Sequence, residues 1–195
     1  MDKHMRLREN KHAVDRVQPI VDAHVKQVQE FGRIVKLPIA LSEKVCAHSV
    51  ENLNQILADT MALRDLYKKH HWQVSGPNFY QLHLLFDKHY EEQAELIDKI
   101  AERIQTLGGV CIAMAQDVVE LTLVPRPPKG REDFKVQIER LLQAHEIILR
   151  GARSMAEQSE DEKDEGSTDL LVSEVIPHNE LQVWFLSQHL FGSKS

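Results

Sequence analysis

Histidine and carboxylate side chains recur at helical spacing between residues 70 and 103 of the chain. Two pairs of residues are four positions apart: His83 with Asp87, and Asp98 with Glu102. At about 100° per residue, all four side chains fall within one sector of a helix, and each pair can hold one metal ion. The pairs lie about 16 Å apart along the helix axis, too far for one ion or one dinuclear cluster. A single chain is therefore predicted to carry two half-sites.

The two pairs are equally distant from a point near residues 92 and 93. If two copies of this helix pack antiparallel about that point, His83 of one chain faces Glu102 of the other. Asp87 then faces Asp98 in the same way. A two-fold interface between identical chains would complete two equivalent metal sites, as an isologous contact requires.

Other residues near these pairs fit the same arrangement. The small side chains of Ala94 and Ala101 lie in the same sector and would let the partner helix come close. His71, at the end of the preceding helix, can reach the N-terminal half-site as a further ligand. Two imidazoles and three carboxylates form a mixed nitrogen and oxygen set that suits iron or zinc. The pattern predicts a ferrous iron site that leaves a position open for an oxidant.

The elements that would position these residues are helical, and no segment shows the alternation of a β-strand bounded by hairpin turns. Four helices are predicted, from Ser42 as the N-cap to the SGPN turn at 75–78, and then over about 78–107, 131–157 and 168–190. Short connections join the first pair and the last pair, so each pair should be antiparallel. More than twenty residues, with room for a short helix near 113–120, separate the second and third helices. The predicted fold is all-α, a ferritin-like four-helix bundle with a long crossover between helices 2 and 3.

The apolar side of the last predicted helix is formed by Leu171, Val175, Leu181, Trp184, Phe185 and Leu190. We expect residues 41–195 to form the bundle domain. Residues 1–40 are predicted to be an N-terminal tail that partly packs on it through FGRIVKLPIAL at 31–41. The tail histidines, His4, His12 and His24, have irregular spacing and are interpreted as ordinary tail residues.

Composition limits the class of protein. Hydrophobic residues make up 42% of the 195-residue chain and charged residues 28%, as in an ordinary globular protein. The formal charge of −6 gives nucleic acid no general attraction, although residues 1–16 carry five basic and three acidic side chains. Cys46 and Cys111 are interpreted as reduced thiols. With no signal-like N-terminus and no membrane span, the chain is expected to be cytoplasmic.

Several motifs resemble one family throughout: HHWQVSGPNF, LHLLFDKHY, LIDKIAERIQTLGG, EGSTDLL and ELQVWFLSQHL. Over about residues 40–190 the chain is similar to the Dps family (DNA protection during starvation), the miniferritins. The resemblance implies a dodecameric hollow shell of ferritin-like subunits with ferroxidase centres at two-fold interfaces. It also implies oxidation of ferrous iron, preferably by hydrogen peroxide, and storage of the ferric mineral inside. Consuming both reactants suppresses hydroxyl-radical formation.

By motif position, the resemblance implies that His71, His83 and Asp87 come from one subunit, and that Asp98 and Glu102 come from its neighbour. All five positions match the family's pattern.

Three further residues are assigned through the resemblance. Trp72 matches the family's pattern, either as a redox-active neighbour that intercepts stray oxidising equivalents or as an aromatic that packs the dimer interface. His70 breaks the family's spacing to His83, so His71 is preferred as the ligand. Asp169 matches an acidic position at the three-fold pore through which iron passes, although a solvated helix start explains it as well.

The rival function is a nucleoid-compacting DNA binder whose metal site is secondary.

Overall fold

The computed structural model describes Val21 and residues 25–191. The chain divides into two compact units, Met1–Glu30 and Phe31–Ser195. In the first unit the described residues, Val21 and 25–30, form no helix or strand. In the second unit the described residues form helices and connecting loops and no β-strand. None of the described helices is both long enough and apolar enough to cross a membrane.

The described helices, in chain order, are α1 (Glu43–Gln73), α2 (Phe79–Thr106), α3 (Ala115–Leu121), α4 (Phe134–Asp161), α5 (Glu165–Asp169), a π-helical turn (Leu170–Val175) and α6 (Ile176–Gln188). The predicted order of four long helical segments is confirmed, with α5, the π turn and α6 running on as the fourth. The short helix predicted inside the crossover is α3. α1 packs on α2 and α4, and α4 packs on α6, so the core lies between the four long segments.

Side-chain caps fix where two of the long helices begin. The Ser42 hydroxyl accepts a hydrogen bond from the Val45 N–H at 3.2 Å, as predicted for an N-cap. Asp133 caps α4 by accepting from the Lys135 N–H at 2.9 Å. These contacts satisfy N–H groups that have no partner within the first turn of a helix.

Asp164, the N-cap of α5, joins three helices through a buried carboxylate. Its Oδ2 accepts hydrogen bonds from the hydroxyls of Ser49 and Ser167, each at 2.6 Å. Arg103 on α2 pairs with its Oδ1. Burial alone would raise the pKa of Asp164, but the hydrogen bonds from Ser167 and Ser49 and the Arg103 charge hold this pKa below its ordinary value. The ionised carboxylate therefore ties α1 and α2 to the start of the last helical segment.

Polar side chains of α1 hold the crossover against the bundle. The buried Asn54 accepts from the Ile112 N–H at 2.9 Å and donates to the Val110 carbonyl at 3.2 Å. The buried Asp59 accepts from the Leu123 N–H at 2.6 Å and from the Thr122 hydroxyl at 2.8 Å. Because these bonds satisfy backbone groups on both sides of α3, the crossover follows one path across the bundle.

One glycine allows a preceding segment to pack closely on the end of α2. Gly108 has φ +79°, in the left-handed region, and a Cβ there would lie 2.0 Å from the Val35 carbonyl oxygen. The Val35 N–H donates to the Gly108 carbonyl at 2.8 Å. Ile34 and Leu41 also pack against the core. Residues around FGRIVKLPIAL are thus attached to the bundle within the second unit.

The predicted apolar side of the last helix is partly wrong. Leu171 and Val175 are buried, but Leu181 and Trp184 remain 47% and 58% exposed. The π turn between α5 and α6 explains the change, because its i→i+5 bonding shifts the register of every later side chain. After the turn, the polar Asn179 and Gln182 face the core together with Leu186.

Candidate metal centre

His71 and His83 form the centre of the candidate site. The turn between α1 and α2 brings the last residues of one helix beside the first residues of the next. The two imidazole rings stack with centroids 3.8 Å apart and an interplanar angle of 21°. The structure therefore brings together two of the histidines that the sequence predicts as ligands.

Hydrogen bonds to backbone carbonyls fix which nitrogen of each imidazole ring has a lone pair available for a metal. His71 Nδ1 lies 2.8 Å from the carbonyl oxygen of His83, and His83 Nδ1 lies 2.9 Å from the carbonyl oxygen of His71. A carbonyl can only accept, so each Nδ1 carries the hydrogen that it donates. The neutral form of each ring therefore has its lone pair on Nε2, the arrangement in which imidazole binds a metal.

Asp87 is the third predicted ligand of this half-site, and its carboxylate already pairs with a cation. Its Oδ1 lies 3.8 Å from His71 Nδ1 and 2.6 Å from the Nζ of Lys68. The hydrogen bond from Lys68 is the main reason why the pKa of Asp87 falls below its ordinary value. Lys68 was not singled out from the sequence, although its position one turn before His71 is a usable signal. A cation that binds Asp87 would displace this ammonium group.

Asp98 and Glu102 are exposed on α2, well beyond the first half-site. Among residues 25–191 and Val21, no group of three or more His, Cys, Asp and Glu side chains is placed to hold a metal ion. The two exposed carboxylates lie on the same helix as His83 and Asp87. Since a helix keeps its residues at a fixed rise, no bending of side chains within one chain can bring the two pairs together.

The neighbours of His71 have opposite environments. Trp72 is 69% exposed at the end of α1. His70 is completely buried, and neither of its ring nitrogens has a hydrogen-bond partner. Burial lowers the pKa of His70 to about 3, so its ring is neutral at physiological pH. Its ring faces Phe86 in the core, with centroids 6.3 Å apart, away from the stacked His71 and His83 pair.

Asp169, predicted at a pore, is exposed at the end of α5, where its Oδ1 accepts a hydrogen bond from the Ser173 hydroxyl at 2.7 Å. The tail residues His4, His12 and His24 lie outside the described residues.

A polar cluster inside the bundle was not predicted from the sequence. Its members are buried side chains from all four long helical segments: Tyr67, His89, Gln93, His145, Asn179 and Gln182. Polar residues at core-facing helical positions are the signal that could have revealed the cluster, because buried polar groups need partners.

Comparisons with known proteins agree with this architecture. A sequence model of the ferritin-like domain family matches residues 50–191. The solved structure of DpsC from Streptomyces coelicolor superposes with a TM-score of 0.85 and 49% identity, over 87% of this chain and 99% of that one. The Dps protein of Vibrio cholerae, described as a ferritin-like diiron-carboxylate protein, has a TM-score of 0.75 at 25% identity, over 81% of this chain and 98% of that one.

A curated relative carries the family's name. The DNA protection during starvation protein 2 of Bacillus anthracis is 31% identical over 141 residues, which are 72% of this chain and 95% of the relative. The helix order, the crossover and these matches confirm the predicted ferritin-like bundle. The chain therefore belongs to the Dps family of ferritin-like proteins.

Proposed function

We propose that this protein is a Dps-type ferroxidase that oxidises ferrous iron, preferably with hydrogen peroxide, and stores the ferric product. The observation that carries the proposal is the stacked His71 and His83 pair, whose Nε2 lone pairs are left free by the two backbone hydrogen bonds. Asp87 adds a carboxylate beside them. We propose that these three donors form one half of an iron site when iron binds, since the described side chains are not already placed to hold a metal ion.

We further propose that Asp98 and Glu102 of a neighbouring subunit complete the centre, within a dodecameric shell. Exposed apolar side chains lie near the half-site residues along the chain, including Trp72 at 69%, Tyr80 at 67% and Leu84 at 50% exposure. Exposed apolar side chains of this kind fit a subunit interface. Trp72 would pack against the partner there, and interception of stray oxidising equivalents is its second proposed role.

In the proposed reaction each pocket brings two ferrous ions and one peroxide together. Each iron gives one electron, the O–O bond breaks, and two protons from solvent complete two water molecules. The histidine Nε2 atoms and the carboxylates hold the irons, and the oxidant takes an open iron position. Zinc fits the same donors but has no redox chemistry. We therefore expect zinc to inhibit the oxidation instead of supporting it.

Stopped-flow oxidation of anaerobically loaded ferrous protein tests the proposal. We expect rapid ferric absorbance after peroxide addition, slower development with dioxygen, and loss of the rapid phase in His83→Ala and Asp98→Asn. Glu146→Gln is the matched control, because Glu146 is an exposed carboxylate on α4 that forms an ion pair with Arg150 and is not among the predicted ligands. Undiminished rates in both site variants would contradict the assignment.

DNA binding is the second candidate, and the name of the Bacillus anthracis relative favours it. The formal charge of −6 opposes DNA binding, and basic residues near the N-terminus support it. A gel-shift titration across salt concentration separates ferroxidase function from DNA compaction, because strong and salt-sensitive retention of DNA would make compaction the leading function.

We also propose Asp169 as part of an iron-access pore, which needs an acidic surface.

A further inference from the structure

A tyrosine and a histidine in the bundle core share a short hydrogen bond. The Tyr67 hydroxyl oxygen lies 2.5 Å from His145 Nε2, and both residues have no exposed surface. On its other side, the same oxygen lies 3.1 Å from His89 Nδ1. Tyr67 is on α1, His89 on α2 and His145 on α4, so the contact joins three helices at the centre of the subunit.

The direction of the hydrogen bonds from Asn179 through His145 to Tyr67 follows from one backbone carbonyl. Asn179 Nδ2 donates to the Val175 carbonyl at 2.7 Å, so the amide oxygen of Asn179 points the other way. That oxygen lies 2.8 Å from His145 Nδ1, which must therefore carry the hydrogen. His145 Nε2 is left with its lone pair and accepts the hydrogen of the Tyr67 hydroxyl.

Burial keeps both partners neutral at physiological pH. It raises the pKa of Tyr67 well above the ordinary value, with the nearby Glu92 charge acting in the same direction. Burial also lowers the pKa of His145 to about 4, opposed by the hydrogen bond to Asn179. In such a core the loss of a proton or an electron alone creates an unpaired charge, which costs much free energy. Loss of the electron to an acceptor, with the proton passing to His145, leaves the phenol ring neutral and places the positive charge on the His145 imidazole, whose Nδ1–H is hydrogen-bonded to the Asn179 amide oxygen.

The cluster lies close to the candidate iron centre. Tyr67 precedes His71 by four residues on α1, which is about 6 Å along the helix axis. His89 follows Asp87 by two residues on α2. The Tyr67 ring also lies beside Phe86, with centroids 6.2 Å apart. The phenol is thus a redox-capable side chain one helical turn from the proposed ligands.

We infer that Tyr67 supplies the second electron when peroxide reaches a centre holding a single ferrous ion, with His145 Nε2 receiving the phenolic proton. This inference rests on the proposed ferroxidase function. The iron gives one electron and becomes ferric, and Tyr67 gives the other and becomes a neutral phenoxyl radical. The O–O bond breaks, and two protons from solvent complete two water molecules. No hydroxyl radical is released, although only one iron was present.

Tyr67 and His145 return to their starting states when the next ferrous ion arrives. That ion gives one electron to the Tyr67 radical, and the proton returns from His145 Nε2 to the phenolic oxygen. Over both stages two ferrous ions and one peroxide are consumed, as in a fully loaded centre. An oxidised phenol is a strong acid, so a weakly basic imidazole suffices as acceptor. The amide oxygen of Asn179 stabilises the transient imidazolium through Nδ1.

Freeze-quench electron paramagnetic resonance tests the inference on the whole protein. The protein is loaded anaerobically with one or two ferrous ions per centre and mixed with one equivalent of peroxide. We expect a tyrosyl radical at one iron per centre and little at two, with a spectrum that narrows when ring-deuterated tyrosine is incorporated. Its appearance should slow in deuterated buffer, since the proton moves with the electron.

Variants then identify the tyrosine. The chain has three tyrosines, so Tyr80→Phe and Tyr90→Phe serve as matched controls for Tyr67→Phe. We expect the tyrosyl radical to be lost only in Tyr67→Phe. This variant should also release more spin-trapped hydroxyl radical than the unmodified protein at one iron per centre, and no more than the unmodified protein at two irons per centre. A purely structural role for Tyr67 would not give this dependence on iron loading.

Ferric absorbance in the same samples separates the possible failures. Iron oxidation without a tyrosyl radical in the unmodified protein overturns the proposed role of Tyr67 and leaves the ferroxidase proposal intact. A radical that persists in Tyr67→Phe has the same consequence. Absence of rapid iron oxidation in the unmodified protein overturns both. Because the first of these measurements needs no variant, it decides the matter even if Tyr67→Phe does not fold.

Discussion

Two inactive variants of this protein are expected to restore activity to each other when they assemble together. His83→Ala removes a ligand from one half-site, and Asp98→Ala removes a ligand from the other. If each centre takes one half-site from each of two subunits, a mixed pair of chains contains one centre damaged twice and one centre with every ligand. Either variant alone forms no complete centre.

The expected recovery follows from the shared geometry. A centre is complete only when its histidine half comes from an Asp98→Ala chain and its carboxylate half comes from a His83→Ala chain. With equal amounts of both chains and random assembly, roughly a quarter of all centres meet both conditions. The burst of rapid iron oxidation should therefore recover to about a quarter of the amplitude of the unmodified protein.

Co-expression of the two variants with different tags and tandem purification supplies the mixed assemblies. The matched control pairs His83→Ala with Asp87→Ala, since both substitutions damage the same half-site and no arrangement of these chains yields a complete centre. We expect recovery in the first mixture and none in the second. If verified mixed assemblies of the first kind stay inactive, the centre is not shared between chains, and the reasoning from the separation of the two pairs along α2 fails.

Three smaller predictions concern single residues. Asp164→Asn should lower the free energy of unfolding by about 3 kcal/mol near neutral pH, as for other broken buried ion pairs. Because the pKa of this carboxylate is lowered in the folded protein, its stabilisation is present above the unfolded pKa and is lost as pH falls through the folded pKa. Chemical denaturation should therefore show the free energies of unfolding of the two proteins converging below about pH 4. Lys68→Met should increase the affinity for the first ferrous ion a few-fold in anaerobic calorimetry, because iron no longer has to displace the Lys68 ammonium group from Asp87 and an exposed ion pair contributes about 0.2–1 kcal/mol. Weaker binding of iron would contradict a competition between Lys68 and iron. Gly108→Ala should cost at least about 1 kcal/mol of stability, because of its positive φ and the approach of the Val35 carbonyl, and an unchanged thermal midpoint would disprove that close contact.

The competition between Lys68 and iron bears on how the half-site behaves before iron arrives. The ammonium group of Lys68 balances the charge of Asp87 before any iron binds. In the proposed shared centre, a ferrous ion would replace this cation with one of higher charge, so that no uncompensated carboxylates would accumulate in the interface. On that proposal Lys68 both competes with iron and stabilises the subunit before iron binds.

The sequence predicted the helical segments well, because each carries its own local signals. Ser42 caps α1 as expected, and glycine and proline mark the α1–α2 turn. The length of the crossover also followed from sequence, since a connection of more than twenty residues is needed to span the bundle. The last segment was predicted less accurately, because a π turn changes its register and a period of 3.6 residues does not reveal one.

For the candidate site, sequence by itself determined the spacing of the two pairs on α2 and hence the prediction that one chain carries only half-sites, because helix rise is a property of the backbone. Only the tertiary structure decided the features that depend on neighbouring helices. These are the stacking of His71 on His83, the cation on Asp87, and the hydrogen bond between Tyr67 and His145. Each needs side chains from different helices at distances of a few ångströms, and such distances are set by packing in three dimensions and not by the order of residues along the chain.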